Sequence, residues 1–515
     1  MRWGLRNAAR APKIVMLAAH EPEQDPRVMW VAESAAQAGY DCLLLGYAHA
    51  RPKGRFSAKG FTVHRIARRT SHSERFLEQL SEALPAIGAL FKATLGTLIA
   101  RAEERQRSFP GGMAIASAPF TKPPKASLSE RITWHTRGIL HGRWPKRVRS
   151  PEPSHEWHSL LQQRDHQLAW MMSHVLSSAE QLDSQLAGGK PPDLVHCHDL
   201  DTLLVGALAK RRWGIPIVWD SHENWPYINP EADGEYIRTF LELERLLAGH
   251  ADHVFAVSSP LLREITARTG ARSISVVPNA EIWRGERPPT TAGAMTALAA
   301  GRIRFLFQGS FAPERGLDHL IAAWRGVDGR QAALFLRGPR NEAAEKLEAR
   351  ASELGLLNEA VYFLDPVVEE ELVAASSEAD VGLIPYLRRW PGYRVACPNK
   401  LSQYLHAGVP VLSNELPYVR EILQAGRCGA IYDSTVHGSL EALVATVVAN
   451  PQLLADWRRN ALGYSREQFN WQRVSPEIIS RYAQLLDSAP VTARGSRRRR
   501  DRWWRRVSRS RARTR

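Results

Sequence analysis

Cysteine is scarce in this chain. The four among 515 residues, Cys42, Cys197, Cys397 and Cys428, are scattered, with no CxxC pair and no Cys/His spacing of the zinc type. That excludes a disulfide framework and a structural zinc site, predicts no metal, and fits a reducing cytoplasm. A secretory leader is also missing from the reading, because the short apolar run near the N-terminus is broken by His20 and Glu21. So is the glycine-rich GxGxxG fingerprint that would follow a first strand in a dinucleotide-binding fold. Acidic residues are outnumbered, 53 against 69 basic ones, for a net charge of +16. Twelve of the arginines lie between Arg494 and Arg515 with one acid, Asp501, so this tail carries +11 and the rest of the chain +5. Such a run packs no core and reads as a disordered tail.

The tail suits an anionic membrane surface, with Trp503 and Trp504 as interfacial anchors and about 1 kcal/mol for each basic residue near the leaflet. A solubilising tail without a partner ranks second. Nucleic acid ranks last as a partner, because no nucleic-acid-binding motif accompanies the arginines. The protein is therefore expected in the cytoplasm, peripheral at the inner face of the membrane.

With 44% hydrophobic residues the chain has material for two ordinary cores. Its pattern is β/α alternation. Lys13 to Ala18 reads as a strand buried on both faces, Asp25-Pro26-Arg27 opens a helix, and Cys42 to Leu45 is the next strand. From about Arg68 to Lys190 the pattern becomes helical. Ala83 to Ala100 holds one charge, Lys92, and is about as long as the ~17 to 25 residues of a spanning helix, but Pro85, Gly88, Gly96 and two threonines weaken it. An amphipathic or hairpin-like helix docking on protein or on a membrane surface is preferred, with a buried helix as the alternative. Arg131 to Arg149, with Trp134 and Trp144, is a second candidate lipid-facing patch. A helix from about His155 to Leu186 follows.

Strands resume with Asp193 to Cys197, ending at His198-Asp199, and Ile217 to Trp219, ending at Asp220-Ser221-His222-Glu223. Two consecutive strands thus deliver acids and histidines to one edge, which in an open α/β sheet is where ligands bind. Trp283 to Gly301 reads as a linker. Beyond it, Ile303 to Phe307 runs into a loop in which Gly309 permits close backbone approach to a phosphate and Arg315-Gly316 places a permanent cation beside it. Arg337 is a further cation at a strand end. In the stretch Ala379 to Glu415, Val381 to Ile384 and Val409 to Leu412 read as strands. The helix between them opens at Pro398, with Asn399 and Lys400 at its positive end, where an anion is favoured.

This last stretch resembles the donor-binding region of glycosyltransferase family 4, retaining sugar-nucleotide transferases of the GT-B fold. The match is to the branch in which Pro-Asn-Lys is followed by a helix and Ala-Gly-x-Pro-Val, here Ala407 to Val411. His196 to Asp199, Asp220 to Glu223, Asp25-Pro26-Arg27 and the Gly309 to Gly316 loop resemble further motifs of the same branch. The resemblance implies an α/β protein of two Rossmann-like domains facing a cleft, with a helical insert in the first. Residues 12–282 would form the acceptor-side domain (insert about 68–190), 302–470 the nucleotide-sugar domain, and 471–488 a helix crossing back, followed by the basic tail 494–515. It implies His198 near the transferred sugar, with Gly309, Ser310, Arg315, Gly316, Arg337, Asn399, Lys400 and Gln403 on the donor and His20, Asp25, Arg27, Asp199 and Glu223 on the acceptor side. The donor is a nucleotide diphosphate sugar, no cofactor is implied, and the acceptor is a glycan or lipid-linked glycan of cell-envelope polysaccharide biosynthesis.

The chain departs from the family at two positions. Gln403 and Val395 stand where many members carry glutamates eight residues apart. Gln403 retains hydrogen-bonding capacity without a carboxylate, and Val395 has neither. A pseudoenzyme acting as a membrane-associated partner in a glycan assembly complex is the alternative that would account for both. A GT-B sugar-nucleotide epimerase fits the motif order less well.

Overall fold

The computed structural model describes residues 10–68, 72–108, 163–230, 232–285 and 293–488. The patch at 131–149, the start of the helix expected from residue 155, and the Arg-rich tail lie outside them. The chain divides into two units, one from Met1–Phe255, Ile265–Ser275 and Ile479–Arg515, the other from Ala256–Glu264 and Val276–Ile478.

The first unit is built on β1 (Lys13–Leu17), β2 (Asp41–Ala48), β3 (Gly54–Ala58), β4 (Phe61–Ala67), β5 (Leu194–His198), β6 (Ile217–Ser221), β7 (His253–Ala256) and β8 (Ile274–Val276). They form one sheet in the order β3-β4-β2-β1-β5-β6-β7-β8. The order reverses at β1, which pairs in parallel with both β2 and β5. β3 pairs antiparallel with β4 at the sheet edge and was not legible as a strand, because its largely exposed Gly-Arg-Phe-Ser-Ala run carries no apolar pattern. β5 and β6 extend further than their apolar cores predict. Their register sets His198 opposite Asp220, so both residues lie within the ladder rather than in the loops beyond it.

The helical excursion packs on protein. Glu74–Ala83 and Pro85–Ser108 are two helices broken at Leu84-Pro85, and Phe76, Leu80, Ile87, Phe91, Leu95 and Leu98 are all buried. No helix among the described residues is long and apolar enough to cross a membrane. Of the readings open for Ala83 to Ala100, the amphipathic, hairpin-like helix docked on protein is the one observed: one face stays exposed, and the apolar face meets the preceding helix and the helices Gln163–Gly188 and Gly234–Ala248.

The second unit is a six-stranded parallel sheet of β9 (Ile303–Gln308), β10 (Ala332–Arg337), β11 (Val361–Leu364), β12 (Val381–Ile384), β13 (Val411–Asn414) and β14 (Gly429–Tyr432), in the order β11-β10-β9-β12-β13-β14. Here the order reverses between β9 and β12. β14 adds a strand beyond the expected sheet. Its short Gly-Ala-Ile-Tyr run lacks a continuous β-branched pattern. After β12 and a short helix at Pro391–Arg394, the next helix spans Asn399–His406, and Pro398 is its extended N-cap residue (φ −65°, ψ 132°) rather than its first helical one. The helix Trp471–Ser488 begins in the second unit and ends in the first.

Candidate functional site

In the second unit Arg315 and Lys400 meet beside the carboxyl ends of β9 and β12, while Arg337 closes β10. Gly316 has φ 74°, and a Cβ there would lie 2.3 Å from the Pro385 carbonyl, so only glycine lets the β9 loop sit against the segment leaving β12. That contact brings Arg315 to Tyr386. The Arg315 guanidinium lies 4.3 Å from the Tyr386 ring centroid and 4.8 Å from that of Tyr393, and Nη1 donates to the Tyr386 hydroxyl. Lys400, buried on the first turn of its helix, donates to the same hydroxyl from the other side. Its Nζ stands 4.5 Å from the Tyr386 ring centroid and 4.8 Å from that of Phe307. Gly309 (φ 131°) leaves room for it, since a Cβ there would lie 3.4 Å from Nζ.

Among the described residues neither Lys400 nor Arg315 has a carboxylate within ion-pair distance, and Arg315 Nε is buried without a hydrogen-bond partner. Burial and the neighbouring Arg315 charge push the Lys400 pKa well down. Arg337, at the end of β10 opposite Gln308, is likewise buried with Nη1 unpartnered, and burial lowers its pKa too. A buried cation without a carboxylate partner is costly, and an edge that sets Lys400 in this way beside the part-buried Arg315 is prepared for an anion. Ser310 and Asn399 are exposed beside them. The aromatic residues of this edge were missed in the sequence. Tyr386 follows β12 by two residues, and the signal lay in the aromatic spacing Tyr386, Trp390, Tyr393 between basic residues.

Gln403 lies one helical turn from Lys400. Its carbonyl oxygen accepts from Gln308 Nε2 at 3.0 Å, and its amide donates to Glu369 Oε1 at 3.4 Å, so it links a buried amide to an exposed carboxylate. Val395 is buried, and its carbonyl accepts from Ser258.

In the first unit Asp25, Arg27, His196, His198, Asp199, Asp220 and His222 form one connected cluster. Asp25 caps the helix Pro26–Gln37 through Oδ1, 2.9 Å from the Arg27 amide nitrogen, while Oδ2 lies 3.1 Å from His222 Nδ1. The ordinary helix start and the functional reading thus hold together in one side chain. Arg27 grips Asp220 with two hydrogen bonds, Nε to Oδ2 at 3.0 Å and Nη2 to Oδ1 at 2.7 Å, both side chains buried. His198 Nδ1 lies 3.0 Å from His222 Nε2, and the Asp199 carboxylate accepts from the His222 amide at 3.0 Å. His196 Nδ1 pairs with the Tyr482 hydroxyl at 2.6 Å.

Electrostatics assign the protons. Burial opposes charge on His222, but the ionised Asp220 and Asp25 raise its pKa well above the usual range, and Asp199 adds to this once it ionises. A charged His222 donates from both ring nitrogens, so His198 accepts at Nδ1 and carries its own proton on Nε2. Burial and the adjacent His196 hold His198 neutral, with a pKa lowered to about 3. Although burial pushes Asp25 up, His222 holds it low, and Arg27 does the same for Asp220. Asp199 goes the other way. Burial lifts it to about 8, reinforced by Asp201 and Glu223 against the pull of His222. It also has φ 61°, a left-handed conformation that Asp tolerates better than most residues.

The expected contact of His198 with the transferred sugar meets a fully covered side chain, because the residue is part of β5 and lies beneath His222. His222, Asp199 and Asp25 are the partly exposed members. His20 lies 4.0 Å from Asp25, and Glu223 is exposed at the end of the turn. His196, His198 and Asp220 offer ligand atoms within 4.8 Å of one another. Both Asp220 oxygens are held by Arg27, however, and that charge stands against any cation there.

Residues 128–280 match the glycosyl transferase 4-like domain model and residues 302–450 the glycosyl transferases group 1 model, together more than half of the chain. The chain is 26% identical over 313 residues to a D-inositol 3-phosphate glycosyltransferase of Gordonia bronchialis, covering 58% of this chain and 67% of that one. Its fold is similar to sucrose-phosphate synthase of Thermosynechococcus elongatus, with TM-score 0.62 and 15% identity over 93% of this chain and 100% of that one. It is also similar to Anabaena HepE in complex with UDP-glucose, with TM-score 0.55 and 14% identity over 92% and 100%. By its two domain matches and its paired parallel-sheet units, this chain belongs to the glycosyltransferase superfamily and has the GT-B fold.

Proposed function

We propose that this glycosyltransferase moves a hexose-type sugar, with retention of configuration, from a nucleotide diphosphate sugar to a glycan or lipid-linked acceptor in cell-envelope polysaccharide biosynthesis. The observation that carries the donor assignment is the edge of the second unit, where Lys400 and Arg315 meet at one hydroxyl without carboxylate partners among the described residues. Departure of the diphosphate builds negative charge, and preorganised cations in a water-poor site stabilise it without reorganising. The UDP-glucose complex of HepE supports the donor class.

On the acceptor side we assign contact to Asp199, His222 and Asp25, with His198, Asp220 and Arg27 fixing their protonation and position. Gln403 is tied to Gln308 and Glu369, which supports a donor edge that is kept in order despite the missing glutamates. The protein is cytoplasmic in this reading and binds the inner membrane face through the Arg-rich tail.

Calorimetric titration of the purified protein with UDP-, GDP- and ADP-sugars tests the donor assignment. One of them is expected to bind at micromolar concentration, and Lys400→Met, which keeps the buried volume, is expected to abolish binding without lowering the unfolding temperature. Folded wild-type protein that binds none of them overturns it.

A further inference from the structure

The Tyr386 hydroxyl has its acceptor capacity filled. A phenolic oxygen offers two lone pairs and one O–H, and here Lys400 and Arg315 both donate to it. Among the described residues no acceptor receives the Tyr386 O–H, although the side chain is only 2% exposed. While Lys400 is protonated the buried phenol proton has no protein acceptor, and a ligand oxygen that is itself negative would both receive that proton and hold Lys400 charged.

The surroundings fix the residue in place. The Tyr386 carbonyl accepts from Asn414 Nδ2 at 2.8 Å, and Asn414 is held in turn by Ser434. Tyr393 packs against the Tyr386 ring, with centroids 4.8 Å apart, and its own hydroxyl donates to Glu314 at 3.1 Å. Tyr393 therefore has its acceptor, and Tyr386 does not.

We propose that Tyr386 is a third donor to the diphosphate, its O–H completing with the Lys400 ammonium and the Arg315 guanidinium a three-donor cradle for one non-bridging phosphate oxygen. The inference rests on the donor assignment above and adds to it a residue that selects diphosphate over monophosphate. An arriving anion also favours the protonated form of Lys400. That keeps Lys400 donating to the phenol and leaves the phenol proton for the ligand. Tyr386→Phe removes this proton and the acceptor between the cations while keeping both ring contacts.

The test is titration of wild type and Tyr386→Phe with UDP, GDP and ADP, their monophosphates, and inorganic pyrophosphate, with the unfolding temperature of each protein as the control for folding. Loss of one hydrogen bond to a charged oxygen is expected to weaken the best diphosphate at least about tenfold, with its monophosphate changed less than about twofold. Equal diphosphate affinity in the two proteins, or equal losses for diphosphate and monophosphate, overturns the role of Tyr386 and leaves the donor assignment standing. Pyrophosphate binding that falls in Tyr386→Phe, with no nucleotide bound by wild type, overturns the donor assignment and keeps the cradle. Wild type that binds neither pyrophosphate nor nucleotide overturns both. Should Tyr386→Phe unfold early, Lys400→Met, removing one of the three donors, is expected to show the same selective loss of diphosphate over monophosphate, and equal losses there overturn the cradle.

Discussion

Replacing Asp199 by Asn should stabilise this protein, and by an amount that grows with pH. In the unfolded chain Asp199 releases its proton near the ordinary value of 3.8, whereas in the folded protein it holds the proton up to about 8. Between those values the folded state carries the extra proton. The stability that Asp199 contributes is therefore complete below its unfolded pKa and is lost as pH rises towards 8. Roughly four pKa units at about 1.36 kcal/mol each set a ceiling near 5 kcal/mol. The side chain is 19% exposed, and His222 still attracts the ionised form, so about 2 kcal/mol at pH 8 is the expected size. Asn keeps an oxygen for the His222 amide, now 3.0 Å from Asp199 Oδ1, and suits the left-handed conformation at φ 61°. It removes only the charge. Thermal unfolding of wild type and Asp199→Asn at intervals from pH 4 to 8.5 measures the effect. The difference should be small near pH 4 and widen steadily to pH 8. A constant difference across that range, or a variant less stable than wild type at pH 8, refutes the protonated Asp199.

Arg27→Met leaves the Asp220 carboxylate buried without its bidentate partner and is expected to cost about 3 to 5 kcal/mol in urea unfolding. Adding Asp220→Asn should recover most of that loss, and a single-variant cost under about 1 kcal/mol would show that the pair does not hold the cluster. Truncation after Ser488 is expected to weaken sedimentation with anionic vesicles at low salt, the difference shrinking as salt is added. Identical partitioning of full-length and truncated protein would remove the tail from membrane binding.

The apolar runs of β1, β5, β9 and β12 determined two parallel sheets from the sequence alone, because strands buried on both faces must be continuously apolar. The cations were legible for a related reason. Gly309, Arg315, Gly316 and Lys400 sit at strand-to-helix turns, and those turns point to the ligand edge of any such sheet. What the sequence could not determine was depth and pairing. His198 and Glu223 stand at the ends of neighbouring strands and read alike, yet β5 extends through His198 and covers it, while Glu223 lies past the end of β6 and is exposed. Asp199 and Asp25 are both acids at helix starts. They ionise in opposite directions because Asp25 is surrounded by histidines, His222 foremost, whereas Asp199 has Asp201 and Glu223 beside it. Tyr386 was invisible as a site residue, since its role comes from Lys400, fourteen residues away, and Arg315, seventy-one residues away, meeting at one oxygen. Periodicity reports which face of an element is buried. Which charges meet on that face is decided by register and by the few places, such as Gly316, where two backbones can come within reach.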